Sequence, residues 1–305
     1  MLAALLALGL LAGPPSQAAA APARLDPSAL EAAIQEGLSA APGGARAAAA
    51  SAPLLGVPYL LSPLGEGRGE DPDPLFRLDA FDCVTFVETA LALGSAASLA
   101  EARRALDDVR YGSTLDIADR NHEVISQWIP RNLEKGWIAP ASRAAAGAAA
   151  VVVTVTYDRA RWQRIFASGQ HLTGVPPARH PVGRFQAEVV PASALAAAAP
   201  RIPDGTIAFV VRAERDERLT RVSHAGLVVV REGVRLVRHA SSWPGVMRVT
   251  EEPLAAFVEH MRRASRRPLT GLALFSIPDS TARLASLARP APGTLAPPAP
   301  EAEAP

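Results

Sequence analysis

The sequence predicts an α+β fold, and three observations carry that prediction. Apolar residues in the first half recur at three- and four-residue spacing, the later half is built of short β-branched runs between Gly and Asp turns, and the change of character occurs once, near residue 140. Helices first and antiparallel strands second is the layout of one helical layer on one sheet.

The elements follow in order. Pro27 to Ala50 reads as an Ala-rich helix, with Ser28 and Glu31 at capping-box spacing and Gln35 and Glu36 continuing a polar face. Gly65 to Pro74 is a loop of Gly, Asp and Pro. Cys83 to Leu93 is a second helix, with Asp79 or Asp82 as its cap and Gly94 as its end. Leu99 to Val109 and Ile125 to Leu133 complete the helical part. Strands are expected at Ala150–Tyr157, Ile207–Val211, Ser223–Val230 and Val234–His239, with Leu272–Ile277 as an edge strand.

The termini read differently. Residues 1–21 combine an apolar run with the small residues Ala18 to Ala20, the pattern of a secretory signal peptide, and the run is too short to span a bilayer. Residues 22–53 are an Ala-rich helical lead-in, 54–278 the folded domain, and 279–305 a Pro/Ala-rich tail with the composition of disorder. The expected location is therefore the periplasm or the medium, with no stable membrane span once the signal is removed.

Charge and cysteine narrow the function. Against 31 basic residues stand 30 acidic ones, interspersed, so the large basic face of a nucleic-acid binder is not expected. The charged runs Arg212–Arg218 and Arg262–Arg267 read as solvated loops or helix faces. The chain has 1 cysteine, which rules out an intramolecular disulfide and any Cys-rich metal centre. Cys83 then pairs between chains, is a small buried core residue, or is a thiol in use. Its place at a helix start, where unpaired N–H groups favour an anion, is expected to lower its pKa.

A nucleophilic thiol needs a base, and the strand pair 223–239 offers one. If Glu232-Gly233 is a two-residue turn, Leu227 lies opposite Arg238 and Gly226 opposite His239. Alternation then puts His224 and His239 on one face as diagonal neighbours, roughly 7–8 Å apart at Cα. The alternative is two solvent-facing histidines near a sheet edge. No Asp or Glu is expected on that face. Other chemistries lack their motifs: His122-Glu123 is followed by Ser126 where a zincin needs histidine, and no G-x-S-x-G, Walker or dinucleotide glycine pattern occurs. No metal or cofactor is expected.

Three segments carry a resemblance. Phe81-Asp82-Cys83-Val84-Thr85-Phe86-Val87, Ser223-His224-Ala225-Gly226-Leu227 and Arg238-His239-Ala240-Ser241 resemble the F-D-C-S/T-x-F-V, S-H-V-G-I and I-H-A-S segments of the NlpC-type cell-wall cysteine peptidases, and Gly56-Val57-Pro58-Tyr59 is similar to their G-x-P-Y. More narrowly, Thr85 to Glu88 after Cys83, and Arg120-x-His122 followed by Trp128, resemble the N-acetylmuramoyl-L-alanine amidase-like branch. The departures are Val84 for Ser, Ala225 for Val, and Glu123 where an aromatic residue is expected.

The resemblance implies a circularly permuted papain-like fold, N-terminal helices packed on an antiparallel β-sheet or barrel. It further implies Cys83 as nucleophile, His224 as base and His239 as the residue orienting it. The Cys83 N–H and Tyr59 would help form the oxyanion hole, and Tyr59, Asp82, Arg120, His122 and Trp128 would be substrate contacts. The implied activity is hydrolysis of peptidoglycan or a muropeptide, at the N-acetylmuramoyl-L-alanine amide. The alternatives are a D-glutamyl-diamino-acid endopeptidase and a non-catalytic wall-binding protein.

Overall fold

The computed structural model of the chain describes residues 27–39 and 43–287. The expected signal segment lies outside the described residues, as does the expected tail from residue 288 onward. The helices are α1 (Pro27–Gly37), α2 (Gly44–Ala50), α3 (Cys83–Ser95), α4 (Leu99–Arg110), α5 (Ile129–Glu134), α6 (Ser142–Ala146), α7 (Arg159–Ala167), α8 (Leu195–Ala198), α9 (Leu254–Arg263) and α10 (Thr281–Leu287). The strands are β1 (Ala139–Pro140), β2 (Val151–Tyr157), β3 (Gly183–Pro191), β4 (Thr206–Arg212), β5 (Val222–Arg231), β6 (Val234–Ser241), β7 (Arg248–Pro253) and β8 (Leu269–Ser276). Together the strands form an 8-stranded antiparallel sheet in the order β2-β3-β8-β4-β5-β6-β7, with β1 added beside β8. The architecture is α+β: N-terminal helices, then an antiparallel sheet.

The sheet is covered on both faces. Phe86, Val87, Ala90 and Leu91 of α3 join one core with Phe209, Ala225, Leu227 and Phe275. The other face packs Val210, Val228 and Val237 against Leu254, Phe257 and Met261 of α9. Burial on both sides explains why β4 reads as a continuous apolar run rather than an alternating one.

Four expectations need correction. The Ala-rich lead-in is two helices, and Ser28 lies inside α1 rather than before its start. The Glu31 carboxylate accepts the Leu99 N–H at the start of α4, at 2.9 Å. Gly94 lies inside α3, where a Cβ would stand 2.4 Å from the Ala47 Cα, so it lets α2 and α3 touch. The strand at Leu272 is central, between β3 and β4. Finally, residues 281–287 of the expected tail are helical, with Leu284 buried and Arg283 paired to Asp108 at 2.6 Å.

Candidate active site

The nucleophile candidate is placed by its cap. Asp82 precedes α3 and its Oδ1 accepts the N–H groups of Val84 and Thr85 at 3.0 and 2.8 Å, while Thr85 Oγ1 accepts the Asp82 N–H at 3.0 Å. This reciprocal box fixes the first turn and hence the direction of the Cys83 side chain. Asp82 Oδ2 accepts the Ser62 N–H at 3.1 Å, so its carboxylate is engaged by backbone on both oxygens.

The histidine pair is placed by the hairpin. Glu232 and Gly233 both take positive φ, 50° and 80°, the two-residue turn that matches strand twist. The ladder pairs Leu227 with Arg238, as the turn requires. That ladder ends there, whereas β4–β5 continues to Val222 and β6–β7 to Ser241. The ladder thus stops short of His224 and His239.

His224 Nε2 and His239 Nδ1 are 2.8 Å apart, with the rings edge to face. Both are buried against Phe257 of α9. Gly226 makes this possible: a Cβ there would lie 2.6 Å from Val237 Cγ1 and 3.2 Å from His239 Cβ. Gly226→Ala is expected to push β6 outward and separate the rings, removing most activity for a Tm loss of a few degrees. Unchanged activity in a folded Gly226→Ala protein would contradict this packing.

The structure adds a residue that the sequence reading missed. Glu252, on β7, places Oε1 3.2 Å from His239 Nε2, and its Oε2 contacts His260 Nδ1. The expectation of no carboxylate near the pair is thus corrected. Glu252 sets the tautomers in series. The carboxylate accepts, so His239 Nε2 carries the proton and His239 Nδ1 is an acceptor. His224 Nε2 must then donate, which leaves the lone pair on His224 Nδ1, an atom with no hydrogen-bond partner among the described residues.

Cys83 and the rings approach from opposite faces of β5. Ala225 packs in the helix-side core with α3, whereas His224 points toward α9. Next to His224 in sequence, the Ala225 backbone N–H reaches the Cys83 sulfur. The half-buried Tyr59 feels the charges of Cys83 and Asp82 and shares a hydrogen bond with the Ser242 hydroxyl. Its segment is held by the Pro58–Arg248 and Tyr59–Phe81 bridges. Ser242 and His224 in turn line one cleft of about 410 Å³.

The electrostatics overturn one expectation. Burial pushes the Cys83 thiol up to about 12, and the Asp82 carboxylate adds to this; the N–H groups of Ala225, Cys83 and Val84 pull the other way without prevailing. The helix start does not hold a standing thiolate. His224 is pushed well below the usual imidazole range, first by burial, then by His239 and Arg212, and is neutral. Tyr59 is raised to about 12 by burial and by Cys83, so its phenol keeps its proton and can donate.

The other expected contacts have partners within the protein. Trp128 is 0% exposed, donating to Glu88 Oε1 at 2.9 Å and set edge-on to Phe209, a core residue and not a substrate contact. Arg120 is paired with Asp71 at 2.8 Å and Glu66 at 3.3 Å. His122 Nε2 donates to the Ile117 carbonyl, and burial lowers its pKa to about 4, aided by Arg120. Glu123, the departure from the aromatic pattern, caps the turn Val124–Trp128 through Ser126 N–H at 2.6 Å and accepts from Thr220 at 2.8 Å.

His122 has a consequence for stability. The unfolded chain takes up a proton near pH 6.5, which the folded site refuses until about 4. The contribution is therefore complete above pH 6.5 and lost as pH falls toward 4, by up to about 3 kcal/mol. Urea melts across this window should show a shallower loss for His122→Gln than for wild type; parallel losses would remove His122 from the account.

Residues 49–264 match the family described as AmiA-like, N-acetylmuramoyl-L-alanine amidase-like. The chain belongs to the AmiA-like family. No curated protein matches the sequence. Among solved structures, this AmiA-like chain is similar to a protein of Legionella pneumophila, with TM-score 0.67 and 21% identity over 83% of this chain and 97% of that one. It is also similar to an N-acetylmuramoyl-L-alanine amidase of Bacteroides uniformis, with TM-score 0.58 and 19% identity over 82% and 99% of the two chains. At these identities the likeness is one of fold.

Proposed function

We propose that the protein is an exported cysteine amidase that hydrolyses the N-acetylmuramoyl-L-alanine amide of peptidoglycan or its fragments, on a circularly permuted papain-like fold. The observation that carries this reading is the junction at Ala225: a cysteine at a capped helix start meets a strand whose preceding residue is a neutral histidine, oriented in turn by His239 and Glu252. Membership of the amidase-like family supports the substrate class. The apolar leader at 1–21 supports export to where that substrate lies. Among the described residues no helix is long and apolar enough to cross a membrane.

The mechanism follows from the protonation states. With the thiol up to about 12 and His224 neutral, the resting pair is uncharged. His224 Nδ1 takes the sulfur proton as sulfur attacks the amide carbon. The oxyanion is met by the Cys83 N–H and the Tyr59 phenol. His224 returns the proton to the leaving amine, the C–N bond breaks, and a thioester remains on Cys83. Water, deprotonated by His224, then cleaves the thioester to a carboxylate and restores the thiol.

Digestion of a purified muropeptide, with products identified by mass, tests the specificity. Release of the intact stem peptide with a free L-alanine amine is expected. A cut between glutamate and the diamino acid would transfer the same chemistry to an endopeptidase. No cleavage would leave a wall-binding protein.

A further inference from the structure

Arg212 is expected from the sequence to sit in a solvated run, yet at the end of β4 it is 1% exposed. Its Nε donates to Ser223 Oγ at 2.8 Å and its Nη1 to the Arg267 carbonyl at 3.3 Å; Nη2 has no hydrogen-bond partner among the described residues. No carboxylate among them pairs with it either. The contrast with its buried neighbours is plain. Arg221 has Glu214 at 3.0 Å, and Arg238 has Glu251 at 2.7 Å. An arginine cannot shed its proton, and a buried guanidinium without an anion is strongly disfavoured.

The position of Arg212 points to a missing partner. It lines the same cleft of about 410 Å³ as His224, together with Ser223, Ser242 and Trp243. Its charge acts directly on the His224 ring. In the reading proposed above, on which this inference rests, His224 hands its proton to the leaving amine. The cleft on the His224 side then holds the amine fragment of the substrate.

We propose that Arg212 is a carboxylate subsite, binding the free acid of the residue that follows the released amine. In a peptidoglycan stem this is the α-carboxylate of the second residue, a glutamate linked onward through its side chain. The planar guanidinium fork suits a carboxylate and not the neutral amide that replaces it in amidated stems. The subsite makes the enzyme selective for unamidated stems and supplies the charge that Arg212 lacks within the protein.

Calorimetric binding to Cys83→Ala tests the subsite without turnover, using L-alanyl-D-glutamate with its side-chain carboxyl blocked as the methylamide, and the α-amide of the same compound, as probes. The acid is expected to bind at least about tenfold more tightly than the amide. Arg212→Gln in the same background is expected to reduce that preference to less than about twofold. Arg212→Lys, which keeps the charge and most of the volume, is expected to weaken the preference while melting as a folded protein. Equal affinities for acid and amide, no binding of either probe, or a preference that survives both substitutions would overturn the proposal. The amidase reading fails separately: an acid preference that depends on Arg212, in a protein that cleaves no muropeptide, keeps the subsite and removes the reaction.

Discussion

His224→Gln is expected to lower kcat/KM for muropeptide cleavage by about 10²- to 10⁴-fold, the range for loss of a positioned general base. Glutamine fills most of the ring's volume and can still bond His239, so the fold and substrate binding should survive while the base is gone. The pH profile gives the same claim a second test. The active site requires neutral His224, and burial, His239 and Arg212 all oppose its protonation. Activity should therefore hold as pH falls through 6.5, where an ordinary imidazole would be half protonated, and decline only below it. A wild-type acid limb centred at or above pH 6.5 would contradict this environment for His224. Glu252→Ala frees both tautomers in the chain and should give a smaller loss than His224→Gln, chiefly in kcat.

The largest stability effect is expected at Glu88, on the helix that carries Cys83. Its carboxyl, 4% exposed, accepts from Trp128 Nε1 and faces Arg110 Nε at 3.4 Å, with Arg110 also buried. Glu88→Ala would strand the Arg110 guanidinium and the Trp128 N–H together, at a cost of about 3–5 kcal/mol. Glu88→Gln keeps an acceptor for Trp128 and should cost clearly less. Burial raises the Glu88 carboxyl to about 7 even against Arg110, so the hydrogen bond from Trp128 counts beside the charge of the ion pair. Equal melts for Glu88→Ala and Glu88→Gln would contradict that division. The residue stands in the segment Thr85 to Glu88 that carries part of the family resemblance, which shows that a motif position can serve the scaffold and not the chemistry.

Local signals made much of the site legible. The Asp82 cap and Thr85 box are written in four residues, and a two-residue Glu-Gly turn fixes the β5–β6 register and with it the meeting of His224 and His239. What depended on tertiary packing was hidden. The segment Arg-Val-Thr-Glu-Glu-Pro of β7 has no apolar alternation, because it lies at the sheet's border with half-buried polar side chains, so Glu252 could not be anticipated. Arg212 stands next to a charged loop in sequence but inside the sheet in space. The thiol follows the same rule: a helix start favours a thiolate only where burial does not outweigh it, and here burial does. Trp128 reads equally as a core residue or a substrate platform until Glu88 and Phe209 are seen around it.

Cys83 as the nucleophile that opens an amide of peptidoglycan is tested by the rate of muropeptide digestion by wild type and Cys83→Ala. Loss of the nucleophile should reduce cleavage below about one-thousandth of wild type, with an unchanged melting curve. Cleavage by Cys83→Ala at the wild-type rate would exclude Cys83 as the nucleophile and move the chemistry to another part of the molecule.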